Sequence, residues 1–76
     1  MPNLRKVSGN ELLKILCNKL GFSVLRQRGS HVSVMKMIGS RKIGTVIPMH
    51  KELKIGTLKG IIKQAEISEE EISEFL

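Results

Sequence analysis

Seventy-six residues predict one small domain, 1–76, with a thin stability margin, because a chain of this size buries only about 60% of its unfolded surface. The single cysteine, Cys17, excludes an internal disulfide and an all-cysteine zinc site, and its place among leucines suits a small packed hydrophobe. The net charge of +6 is unevenly spread: residues 66–76 hold five glutamates and no Lys or Arg, so residues 1–65 carry all 13 basic groups against Glu11 and Glu52, a net of +11. A basic body of that density points to a polyanion partner, through phosphate contacts that release counterions; the alternative is a solvated charged surface with no partner. Neither a signal peptide nor a membrane span is recognisable, so no membrane association and a reducing, cytoplasmic location are the expectation.

In chain order, Ser8-Gly9-Asn10-Glu11 is a capping box. Leu12, Leu16 and Leu20, with Leu13 and Cys17, lie along one helical stripe, and Gly21 is a stop signal, which predicts a helix over 9–20. Three stretches with strand character follow. Residues 22–28 alternate imperfectly. Residues 31–38 place Val32, Val34 and Ile38 on one face and Met35 and Met37 on the other. Residues 42–48 place Ile43, Thr45 and Ile47 opposite Val46. Short loops between them, including Gly39-Ser40, favour an antiparallel meander.

A second helix is predicted from Leu58, Ile61, Ile62 and Ala65, with Gly56 or Thr57 at its N-cap and Gly60 in its interior. Ser68-Glu69-Glu70-Glu71 is a further capping box, which opens a short terminal helix with Ile72, Phe75 and Leu76 on one side. The expected architecture is α+β: a three-stranded antiparallel sheet with helices packed on one face and a short C-terminal helix. The opposite face is left to solvent or a ligand.

Few side chains remain for chemistry. The basic body has Glu11 and Glu52 as its only carboxylates, and Glu11 is engaged in capping, so a two-metal nuclease is disfavoured and no metal or small-molecule cofactor is expected. No aspartate is present to orient a triad histidine, and no G-x-S-x-G elbow occurs. RNA supplies its own nucleophile, the ribose 2′-hydroxyl. Its attack on the adjacent phosphorus needs one group titrating near neutrality and cations on the phosphate. Arg26, Arg28 and His31, in the run Arg26-Gln27-Arg28-Gly29-Ser30-His31, offer such a set. Spacing alone favours an ordinary strand histidine.

His50 reads more readily as a solvated loop residue than as a phosphate ligand. Lys51 and Lys54, near the start of the second helix, read equally as a phosphate anchor and as a solvated face. With no Trp or Tyr, the chain lacks the aromatic platform of single-strand readers, so recognition by shape and backbone fits better.

The residues in order carry a resemblance: Ser8-Gly9 with Glu11-Leu12, Gly21-Phe22, Arg26 to His31, Val46 with Pro48 and His50, Glu52-Leu53-Lys54, Gly56-Thr57-Leu58, Ile61, Lys63-Gln64-Ala65 and Ile67-Ser68. Together they resemble the HicA family of small toxins, mRNA-cleaving nucleases of type II toxin–antitoxin pairs. The resemblance covers nearly the whole chain. It implies a fold similar to double-stranded RNA-binding domains, α-β-β-β-α. The family's catalytic histidine follows a Gly-Ser step, which maps onto His31 alone. Metal-independent cleavage of mRNA is then expected, with His31 as general acid or base, Arg26, Arg28 and Ser30 at the phosphate, and Lys51 and Lys54 steering RNA. Neutralisation by a cognate HicB-like antitoxin covering His31 is also implied. Two features depart from the family: Glu66 stands where glycine is common, and residues 36–41 lack the frequent aromatic and acidic turn residues. The rival expectations are a non-catalytic RNA-binding module and a basic body that docks an acidic protein.

Overall fold

Ser8 opens the first helix by the mechanism its sequence predicts. In a computed structural model that describes residues 4–76, with residues 1–3 of the expected 1–76 domain outside the described residues, α1 spans Gly9–Lys19. The Ser8 hydroxyl accepts from the Glu11 amide at 3.0 Å, and the Glu11 carboxylate accepts from the Ser8 amide at 3.4 Å. That bond from the Ser8 backbone, with Arg5 beside the carboxylate, holds Glu11 below the usual glutamate range. Leu12 and Leu16 are fully buried, with Leu13, Cys17 and Leu20 half-buried around them. Burial pushes the Cys17 thiol up, which keeps it neutral and apolar.

The sheet is formed by β1 (Ser23–Arg28), β2 (His31–Ile38) and β3 (Arg41–Pro48), antiparallel in the order β1-β2-β3. Helix α2 covers Ile55–Gln64 and α3 covers Glu69–Ser73. This is the expected α-β-β-β-α order. Helix α1 lies against β1 and β3, α2 against β3, and α3 against α2. Both helical layers are therefore on one side of the sheet. Val32, Val34, Ile43 and Ile47 face that side and pack with Leu58, Ile61, Ile62 and Ile72 in one core. Thr45 lies in the same row and is buried; its hydroxyl donates to the Gln64 side-chain oxygen at 2.8 Å, which satisfies it.

Four local expectations shift. Ile38 points the same way as Val32 and Val34 but is 47% exposed, because it pairs with Arg41 at the far hairpin, past the end of the helices. The N-cap of α2 is Lys54, with no side-chain cap bond, rather than Gly56 or Thr57. The buried Leu53, whose amide bonds the Val7 carbonyl at 2.7 Å, fixes where the chain can turn into that helix. Only the forward half of the α3 capping box is made, from the Glu71 amide to the Ser68 hydroxyl. Phe75 stays exposed at 36% rather than packing beside the buried Ile72. Among the described residues, no helix is long and apolar enough to cross a membrane.

Candidate functional site

The imperfect alternation of β1 has a physical cause. Ser23 pairs with Met35 and Val24 with Val34, but the next pair is Arg26 with Ser33, so Leu25 is an extra residue in a β-bulge. Phe22 is buried at the entry to the strand. In an unbroken strand, residues 22, 24, 26 and 28 would share one face. Burying Phe22 would then turn Arg26 and Arg28 toward the core, where an unpaired guanidinium is costly. The bulge resolves this conflict. Gln27 pairs with Val32 on the helix side, while Arg26 and Arg28 pair with Ser33 and His31 on the open side.

The same face of β2 therefore carries His31, Ser33, Met35 and Met37, next to Lys42, Gly44, Val46 and Pro48 of β3. Arg26, Arg28 and His31 occupy one end of this face, and all three side chains are exposed. Their joint placement depends on the Gly29-Ser30 turn between Arg28 and His31. Gly29 takes φ +57 at the first central position, the glycine position of a II′ hairpin turn, and the Gln27 side chain donates to its carbonyl at 3.1 Å. Ser30 is exposed, and its carbonyl accepts from the Met49 amide at 2.6 Å.

That last bond ties the loop after β3 to the turn before His31. A second tie comes from the start of α1, where the Gly9 amide donates to the His50 carbonyl at 2.9 Å. A Cβ at Gly9 would collide with the Pro48 carbonyl, so only glycine permits this approach. The capping-box reading of the sequence missed this role. A glycine at the first helical position, where it is a poor helix former, was the available signal. Lys51 is exposed in the same loop. His50 and Lys54, with Thr57, line a separate cleft of about 290 Å³ at the start of α2. The structure thus brings Arg26, Arg28, Ser30 and His31 together and places Lys54 with His50 in a neighbouring cleft.

Charge is sorted in the same way. Glu11 pairs with Arg5 at 3.3 Å, Glu52 with Lys6 at 3.1 Å, and Glu66 with Arg41. Among the described residues, Arg26, Arg28, Lys42, Lys51 and Lys54 have no ion-pair partner. No carboxylate lies on the open sheet face, so its positive potential is uncompensated.

Comparison with curated proteins and with solved structures returned no match. The family model described as the HicA toxin of bacterial toxin–antitoxin systems matches residues 9–67, from the first residue of α1 through the segment after α2. That span contains the whole sheet, its bulge and every residue of the basic end, and the chain belongs to the HicA family of toxin–antitoxin toxins.

Proposed function

We propose that this chain is the toxin of its pair by virtue of cutting mRNA without a metal ion, in the cytoplasm. His31 acts as general acid or base on the 2′-hydroxyl or on the departing 5′-oxygen. Arg26 and Arg28 hold the scissile phosphate, Ser30 contacts it from the turn, and Lys51 and Lys54 steer the strand. A cognate HicB-like antitoxin neutralises the chain by covering His31. One observation carries this reading: a β-bulge at Leu25 lets Phe22 be buried while two arginines share the open face with the one strand histidine. Membership of the toxin family supports it. The state of the carboxylates supports the metal-free route, since Glu11 is held in the helix cap and Glu52 by Lys6.

Cleavage of purified RNA in EDTA tests the proposal. The wild-type chain is expected to leave 2′,3′-cyclic phosphate and 5′-hydroxyl ends. His31→Ala is expected to lose at least about 100-fold in rate, the low end of what a positioned proton-transfer group contributes. Because His31 is exposed, the variant should fold with stability unchanged to within about 0.5 kcal/mol. A folded His31→Ala chain that cuts at the wild-type rate would remove His31 from the mechanism. Binding without cutting by the wild-type chain would instead make it a non-catalytic RNA-binding module.

A further inference from the structure

We propose that the open sheet face also holds one unpaired RNA base, in a shallow cavity of about 420 Å³ whose lining includes Leu25, Ser33, Met35, Lys42, Gly44 and Val46 and extends to Gln64 of α2. The inference rests on the RNA-cleaving reading above and adds a base-binding subsite to it. Ser33 and Met35 follow His31 on the same face, at steps of roughly 7 Å. A base in the cavity therefore belongs to a nucleotide close along the strand from the phosphate at His31.

The cavity suits a flat ring. Leu25 is 54% exposed and Val46 45% exposed, and with the half-buried Met35 they form an apolar floor. Gly44 lies opposite Met35 in the middle of β3. Its backbone does not occupy the left-handed region, but a Cβ there would stand 3.3 Å from the Val34 carbonyl oxygen, so close pairing with β2 also favours glycine. A mid-strand glycine weakens a strand and marks a place where a ligand can approach the backbone closely. The Ser33 hydroxyl and the Lys42 ammonium give polar groups for a base edge. Arg26, paired with Ser33, brings a guanidinium plane of the kind on which splayed RNA bases stack. A chain without Trp or Tyr thus replaces an aromatic platform with aliphatic side chains and a guanidinium. The absence of carboxylates from this face and its three cationic groups, Arg26, Arg28 and Lys42, favour a nucleotide over a protein segment.

Amide chemical shifts of the His31→Ala chain, titrated with the RNA homotrimers of A, C, G and U, test the subsite. At least one trimer is expected to move Ser33, Met35, Gly44 and Val46 together with Arg26 and Arg28. The same trimer lacking one base is expected to bind roughly tenfold more weakly, the worth of one partly buried apolar surface. It should leave Gly44 and Val46 unmoved while still moving Arg26 and Arg28. Val46→Ser, which removes part of the apolar floor at an exposed position, should reproduce part of that loss with the intact trimer and retain a cooperative melt. Trimers that move Arg26 and Arg28 but never Gly44 and Val46, or abasic trimers that bind equally well, overturn the subsite and leave RNA binding standing; the apolar strip would then fit a protein partner. Trimers that move nothing overturn the RNA reading and the subsite with it.

Discussion

Glu66 occupies a backbone position that glycine usually fills. It takes φ +58 just past the end of α2. The Glu66 amide donates to Lys63 at 3.1 Å and the Ile67 amide to Ile62 at 2.9 Å, the two bonds of a Schellman cap. A side chain in that conformation is strained. What it gains is a two-pronged contact with Arg41, whose second prong is 2.8 Å long. Both partners are largely exposed, and exposed ion pairs stabilise less than the left-handed conformation costs. Glu66→Gly is therefore expected to raise the melting temperature by about 4 °C, as a thermal melt would show. A drop would mean that the pair with Arg41 outweighs the strain. The sequence identified this position as a departure from its family, but only the backbone shows what the departure costs.

At the scale of elements, Leu25 is the residue whose removal says most. Deleting it leaves Val24 opposite Val34 and Arg26 opposite Ser33 in a regular ladder. The deletion variant should keep its fold, keep Arg26 and Arg28 beside His31, and retain RNA cleavage while losing one wall of the base cavity. Had the strand no bulge, Phe22 and both arginines would share one face, and one residue fewer would turn the arginines away from Phe22, so that cleavage would change rather than persist. A cleavage assay on the deletion variant decides between them.

The contrast with the rest of the fold shows what sequence patterns can carry. Helix α1 was legible because a capping box and an apolar stripe agree, and β2 and β3 because Val32, Val34, Ile43 and Ile47 alternate at period two. The bulge was not, because an extra residue in a strand exposed along its whole length leaves no apolar signature. The start of α2 was misplaced for a related reason: tertiary burial of Leu53, not a capping side chain, sets it. The basic run ending in His31 stood out in the sequence and shares one face through the Gly29-Ser30 turn, yet its facing away from the buried Phe22 depended on the bulge that periodicity could not reveal.

For the molecule as a whole, acid should weaken the fold through particular carboxylates. Glu11 is lowered by the Ser8 amide and then by Arg5, and Glu66 by Arg41. Each binds a proton less readily folded than unfolded. Their stabilisation is thus complete above the ordinary value of 4.5 and is lost as pH falls through the lowered folded values. A chain carrying Glu11→Gln and Glu66→Gln should melt below the wild type at pH 7, with the gap closing as melts are repeated below pH 4.5. A gap of constant size would place the acid sensitivity elsewhere. The cations of the open face take no part in these pairs, so altering the two glutamates leaves the charge of that face unchanged.

The bulge at Leu25 also governs how copies of this chain treat one another. An uncovered sheet offers its outer strands as templates, and a straight strand from a neighbour could join β1 hydrogen bond by hydrogen bond. An extra residue interrupts that ladder midway, and the adjacent Arg26 and Arg28 would set like charges against each other in a paired copy. The irregularity that orients the arginines therefore also guards the edge. Newly made chains can thus leave β1 unpaired without stitching together along that edge.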